Sequence, residues 1–398
     1  MLERWIRGPI GLGSERLVTR ADCRTVLVVI PTMTAGTRLR DLVTLVQGDH
    51  RIQTLYTVPD SPDPLHGTAE FAAAGGGLVI PWHQAVNHGF DLVLAASPTG
   101  LDQVRGRILV IPHGAGNLMS RKYNRDAGPR GRPHTGLARE TLTRRGKLLP
   151  AALGLTHDDD LEALRQSCPE AVPVAVVAGD ICYDRLVVSA SSRERYRRAL
   201  GVAGHERLIV VSSTWSTESA FGRHPGLCRR LLTEAAGSAQ RLALILHPNV
   251  WAVHGRGQVT AWLAGCIRDG LLVLPPEEGW RAATVAGDHV LGDFGSTTQY
   301  AAAIGKPVTL AAYPDGAIRA GSIADGVAET APRLDFGRPL LPQLRHGAPN
   351  GRIAGLLTSR PGQTAAILRH TMYGLLEMAE PEGKARLDAV PPPEPVTL

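Results

Sequence analysis

Four short stretches of the chain hold side chains whose types and spacing could do chemistry. In IPHGAGN, His113 follows an apolar run and is flanked by Gly114 and Gly116. Imidazole titrates near neutrality, so it can take a proton from a hydroxyl nucleophile. The glycines let backbone N–H groups come close to a substrate; a histidine in a plain turn is the simpler alternative. In ILHPN, His247 ends a second apolar run that Pro248 stops. It could donate a hydrogen bond to a phosphate or polarise a leaving group. In GDFGSTTQYAAAIGKPV, a turn of Gly292, Asp293, Phe294 and Gly295 leads into Ser296, Thr297 and Thr298, which open a helix closed by Gly305-Lys306-Pro307. Hydroxyls and unpaired N–H groups at a helix start attract anions, and three hydroxyls in a row exceed what an ordinary Ser/Thr cap requires. In VVSSTWSTES, the hydroxyls of Ser212, Ser213 and Thr214 could hold a diphosphate. Trp215 either packs under a base or sugar or belongs to the core.

These stretches sit at the ends of apolar runs that alternate with helical segments. RTVLVVIP (24–31), RIQTLYTV (51–58), GLVIP (77–81), DLVLAAS (91–97), RILVIPHG (107–114), KLLPAALG (147–154) and VPVAVVAGD (172–180) read as strands buried on both faces of a parallel sheet. After a helix over 189–201 the alternation restarts with runs at 207–214, 241–248, 270–276, 288–295 and 306–313. We expect an α/β chain of two facing Rossmann-like domains with parallel sheets, over 1–185 and 186–345. A C-terminal helical segment over 346–380 and a disordered Pro-rich tail over 381–398 would follow. In parallel sheets ligands bind beyond the carboxyl ends of the strands, and that is where the four stretches fall.

Bulk properties narrow the field. The 398 residues suit two domains. A net charge of +6 fits an anionic ligand, nucleic acid or an acidic membrane surface, while only 5% aromatic residues argues against stacking on single-stranded nucleic acid. Five scattered cysteines with no C-x-x-C suggest reduced thiols. No signal-peptide core is visible, and no apolar run approaches the roughly 20 residues that span a bilayer. We therefore expect a cytoplasmic protein with room for peripheral contact at the inner membrane face. Between Arg121 and Lys147, nine Lys/Arg stand against two acids, as a solvated basic loop or an anion or membrane contact. HDDD (157–160) reads as a helix start with acids in its first turn rather than as a metal site. The P-loop, nucleophile-elbow, zincin and G-x-G-x-x-G signatures are absent.

Taken in order, the stretches resemble the CDP-glycerol glycerophosphotransferases of teichoic-acid synthesis, a family of GT-B fold. The resemblance spans about residues 107–315. His113-Gly114 matches an H-G-T-P loop, and Gly179 to Asp184 stands where that family has G-x-P-R-x-D. Ser213-Thr214-Trp215-Ser216 stands for P-T-W-R, His247-Pro248 for its H-P pair, and Gly292 to Thr297 with Gly305-Lys306-Pro307 for its S/T-D-Y-S-S and G/R-K-P elements. The arginine of P-T-W-R is Ser216 here, and the proline and arginine of G-x-P-R-x-D are missing. HPN and DFGSTTQYAAAIGKPV also resemble the non-hydrolysing UDP-N-acetylglucosamine 2-epimerases.

The resemblance implies a metal-independent, nucleotide-diphosphate-dependent transferase with no cofactor and a CDP- or UDP-linked donor as substrate. It would act on a hydroxyl acceptor from a cleft between the domains. His113, His247 and Asp293 are the catalytic candidates. Ser213, Thr214, Trp215, His247, Ser296, Thr297 and Thr298 would bind the donor, and Gly114, Gly116, Arg121 and Lys122 would contact an anion or the acceptor. A nucleotide-sugar 2-epimerase and a non-catalytic nucleotide- or membrane-phosphate-binding module are the alternatives; nucleic acid is a poor fit.

Overall fold

The computed structural model describes residues 5–11, 13–16, 18–61, 65–116, 136–344 and 351–397. The chain forms two compact units, each with its own parallel sheet. The first takes residues up to 117, Thr135–Cys182 and Ser359–Leu387. Its strands are β1 (Arg24–Val29), β2 (Ile52–Thr57), β3 (Leu78–Val79), β4 (Gly89–Ala95) and β5 (Arg105–Val110), then the hairpin pair β6 (Thr143–Arg144) and β7 (Lys147–Leu148), then β8 (Ala152–Leu155) and β9 (Ala175–Val177). Seven of them pair in parallel in the order β3-β2-β1-β4-β5-β8-β9. Val26 to Ile30 and Leu92 to Ala95 are all buried, as continuous β-branched and leucine runs must be when helices cover both sheet faces.

The second unit holds Tyr183–Thr358 and the closing residues from Asp388. Its strands are β10 (Arg207–Ser213), β11 (Gln240–Leu246), β12 (Leu272–Val273), β13 (His289–Gly292) and β14 (Val308–Leu310), all parallel in the order β12-β11-β10-β13-β14. In both sheets the strand order reverses beside the first strand, between β1 and β4 and between β10 and β13. Such a switch leaves a crevice at the carboxyl edge, because the connections leaving the two neighbouring strands run to opposite faces.

Three sequence expectations need correction. KLLPAALG is not one strand: Pro150 separates the hairpin strand β7 from β8, since proline has no N–H to give a ladder. The helix Arg352–Leu357 lies in the second unit and Thr364–Leu376 in the first, so 346–380 is not one segment. The latter helix closes the first core with Leu368, Met372, Tyr373 and Leu376. Finally, the tail is held. Val390 is 2% exposed, its carbonyl accepts from the Tyr196 hydroxyl at 2.7 Å, and Val396 N–H donates to Val273 O at 2.8 Å.

Candidate functional site

In the second unit the switch point brings together the loops after β10, β11 and β13. Asp293 is the pin. One of its oxygens accepts from Thr214 N at 2.9 Å and Ala220 N at 3.0 Å, the other from Gly295 N at 2.9 Å, and the Ser213 hydroxyl lies 3.4 Å away. Burial pushes its pKa up while these donors pull it down; the net shift is upward. The carboxylate is 1% exposed, so it positions two loops rather than reaching a ligand, which corrects the catalytic assignment. Ser213 Oγ, also buried, accepts from Phe221 N at 2.9 Å and donates to Thr214 O at 3.0 Å. Thr298 Oγ1 accepts from Asp293 N at 3.2 Å and is fully buried. Both hydroxyls are therefore structural, not donor-binding.

What remains accessible at this edge is Thr214, Trp215, Ser296 and Thr297. The helix Ser296–Ala303 takes Gly295 as its N-cap, with no side-chain cap. Ser296 is thus the first helical residue, and the ordinary Ser/Thr cap is ruled out. The positive end of this helix's dipole therefore meets the edge at Ser296, where an anion is favoured. Gly295 is required by close approach: a Cβ there would stand 2.9 Å from Thr214 Cβ and 3.0 Å from an Asp293 carboxylate oxygen. His247 joins the group through its backbone N–H, which donates to Ser213 O at 2.9 Å. Its Nδ1 accepts from Asn249 N at 3.1 Å, leaving the proton of the neutral ring on Nε2. The Trp215 ring lies 6.3 Å from it. Lys306, of the Gly-Lys-Pro turn, points elsewhere. Its Nζ donates to Val285 O and Gly287 O, closing the helix Trp280–Ala286, and burial lowers its pKa to about 8.

In the first unit His113 follows β5, and its Nδ1 lies 2.7 Å from Ala96 O, just beyond β4. A carbonyl can only accept, so Nδ1 carries the proton and the neutral ring presents a lone pair on Nε2. The residue keeps an accessible face. The surrounding protein nonetheless holds its pKa below the usual histidine range, with the charge of Arg38 adding to the effect. Sequence reasoning missed Arg38. It sits in the helix Met33–Val43, capped by Thr32, is 6% exposed and lies 3.7 Å from Asp41. Gly116 has a positive φ of 74° and Gly114 sits beside it in the same loop. Arg121 and Lys122 lie outside the described residues. His157 caps its helix by accepting from Asp159 N, and Asp160 completes a capping box, so HDDD is a helix start.

Two parallel α/β units, each with a switch-point crevice, make this a GT-B fold. A variant of the wall teichoic acid polymerase TagF with CDPG matches with a TM-score of 0.56 at 10% identity over 90% of each chain. The UDP-GlcNAc 2-epimerase of Neisseria meningitidis bound to UDP-GlcNAc matches at 0.53 and 14% identity, over 89% of this chain and all of that one. That of Methanocaldococcus jannaschii matches at 0.51 and 11%, over 88% and 100%. No family model matches the chain, and no curated protein does. Among the described residues no helix is long and apolar enough to cross a membrane.

Proposed function

We propose that the chain is a nucleotide-diphosphate-dependent transferase that moves a glycerophosphate-like or glycosyl group onto a hydroxyl acceptor. The observation that carries this reading is the helix start at Ser296, entered through Gly295, pinned by Asp293 against the loop after β10 and beside His247. The donor diphosphate, CDP- or UDP-linked, would take the N–H groups of that helix start with the hydroxyls of Ser296, Thr297 and Thr214. His247 Nε2–H would donate to a phosphate oxygen, and Trp215 would pack beside the nucleotide. His113 would act as the base: its Nε2 takes the acceptor proton, the freed oxygen pair attacks the donor, and the nucleotide leaves. The helix dipole and His247 offset the charge that develops on it. Gly114, Gly116, Arg121 and Lys122 would contact the acceptor or an anion. Cytoplasmic location, independence of metal and cofactor, and a peripheral contact of the basic segment with the inner membrane face are parts of the same proposal.

A second reading is a nucleotide-sugar 2-epimerase. The match to UDP-GlcNAc 2-epimerases over all of their chains favours it. One experiment separates the two. The protein is screened by thermal shift against CDP, UDP and GDP, and the donor conjugate of the responding nucleotide is incubated in deuterated water without acceptor. Deuterium at C2 of the sugar indicates the epimerase; an inert donor that is consumed only when a hydroxyl acceptor is added indicates the transferase. If no nucleotide raises the melting temperature, both readings fail.

A further inference from the structure

The three loops that meet at the switch point of the second unit bring no Lys or Arg. After β10 the chain runs from Thr214 to Ser219, after β11 from His247 to Gly255, and after β13 from Asp293 to Tyr300. The groups assigned above to the diphosphate are therefore all neutral: backbone N–H groups, hydroxyls and an uncharged imidazole. A diphosphate carries negative charge on each phosphate, and a helix start offers only about half an elementary charge. A site that holds it, and then lets it leave with more charge, calls for a cation as well. The next loop along the same edge brings one. β14 runs parallel to β13, so its chain also leaves at the carboxyl edge, and the first basic residue it reaches is Arg319. Ile318, beside it, is buried in one apolar cluster with Phe294, two residues before Ser296, and Tyr313 packs against that cluster. The other arm of the loop approaches the β10 side. Asp315 is held below the usual carboxylate range first by its hydrogen bonds to Arg333 and further by the charge of Arg223, at the end of the helix Ala220–Arg223.

The guanidinium of Arg319 differs from those around it. Arg223 pairs with Glu218 at 3.4 Å, Arg256 pairs with Glu277, and Arg333 donates to both oxygens of Asp315 at 2.8 Å while lying over the Tyr313 ring. Among the described residues no acid pairs with Arg319; its Nη1 is buried and makes no hydrogen bond, although the residue keeps an accessible side. A guanidinium nitrogen removed from water without an acceptor is costly, and an anion arriving there lifts that penalty. The backbone behind it is held. Arg319 O accepts from Ser322 N at 3.2 Å, and Ser322 Oγ accepts from Asp325 N at 3.2 Å to cap the helix Ile323–Ala328. The side chain thus projects from an ordered loop, which lowers the entropy lost when it meets a ligand. We propose that Arg319 is the cation of this site, reaching from the loop after β14 to the diphosphate at the Ser296 helix start. This rests on the reading of that helix start as the donor's diphosphate site and adds the residue that makes it prefer a diphosphate over a nucleoside.

The test uses the full chain and calorimetric titration with cytidine, uridine, CDP, UDP and inorganic pyrophosphate. Arg319→Gln should weaken the responding diphosphate and pyrophosphate about tenfold or more while leaving the nucleoside unchanged. Arg319→Lys, which keeps the charge and loses the fork, should recover part of that loss. Arg256→Gln, at the same edge but on a cation already paired with Glu277, should leave all five ligands as they are. The melting temperature of the unliganded protein should not fall in Arg319→Gln. Unchanged diphosphate affinity in Arg319→Gln overturns the proposal, and so does an equal loss in Arg256→Gln, which would reflect only the general field of the surface. A lower melting temperature together with equal weakening of nucleoside and diphosphate also overturns it, because Arg319 would then serve the fold. Nucleotide binding that ignores Arg319 sinks this proposal alone. Pyrophosphate binding that depends on Arg319, with no response to any nucleotide, sinks the nucleotide reading alone, and no binding of any of the five sinks both.

Discussion

His113 and His247 each stand just beyond a strand at the carboxyl edge of a sheet, yet their backbone partners prepare them for opposite tasks. His113 gives its Nδ1 proton to Ala96 O and so offers a lone pair at Nε2; His247 accepts Asn249 N–H at Nδ1 and so offers a proton at Nε2. One neutral imidazole is poised to take a proton, the other to give a hydrogen bond. For His113 the sign of the pH dependence follows directly. Desolvation and the Arg38 charge disfavour the cation, so the pKa in the folded protein lies below the ordinary 6.5. The base form therefore persists as pH falls through that value, and the acid limb of kcat/KM should lie below it. Arg38→Met should move the limb upward. His113→Gln should lower kcat by about 10²–10⁴ with little change in nucleotide binding. A ring titration by NMR gives the same quantity without substrate, and a value at or above 6.5 refutes the argument.

Among the elements, strands were the most legible. β1, β4, β10 and β11 are each built around a continuous apolar stretch rich in valine, leucine and isoleucine, and such stretches have few places to go except the middle of a parallel sheet. The site's strand ends were legible for the same reason, because a run that ends in His-Pro or Gly-Asp-Phe-Gly announces its own edge. Which hydroxyls face outward was not. Ser213 and Thr298 look like Thr214 and Thr297 in the sequence, and only the three-dimensional partners, Phe221 N–H and Thr214 O for Ser213 and Asp293 N–H for Thr298, show the first pair turned inward. The closing tail was illegible too. PPPEPVTL has the composition of a disordered end, but the Val396 N–H donates to Val273 O, and Val390, just before it, is buried beside Tyr196. That contact can be tested by ending the chain at Leu387. Uncovering Val390's site forfeits about 1.5–3 kcal/mol of burial, and the Tyr196 hydroxyl loses its acceptor for about 1 kcal/mol more. We expect the second unit to lose about 3 kcal/mol in denaturant unfolding. An unchanged midpoint would mean that the tail merely rests on the surface.

At the scale of the whole molecule, neither unit is a continuous piece of chain. Ser359–Leu387 returns to complete the first core, and residues from Asp388 then go back to the second. Each sheet has its own hydrophobic core, with Leu39, Leu92 and Met372 in one and Leu231, Leu244 and Leu263 in the other. A ligand that binds only the Ser296 helix start should therefore stabilise one core more than the other. Added at a hundred times its dissociation constant, a nucleotide that binds native but not unfolded protein contributes about 2.7 kcal/mol. Calorimetric scans with CDP or UDP should show this on the transition assigned to the second unit, as the one that truncation at Leu387 also shifts. Gly295→Ala should abolish the increment, because its added Cβ forces the helix start away from Thr214 and spoils the alignment of the N–H groups. Asymmetric stabilisation that survives this substitution would place the nucleotide elsewhere, and equal stabilisation of both transitions would mean that the donor is gripped by both units at once.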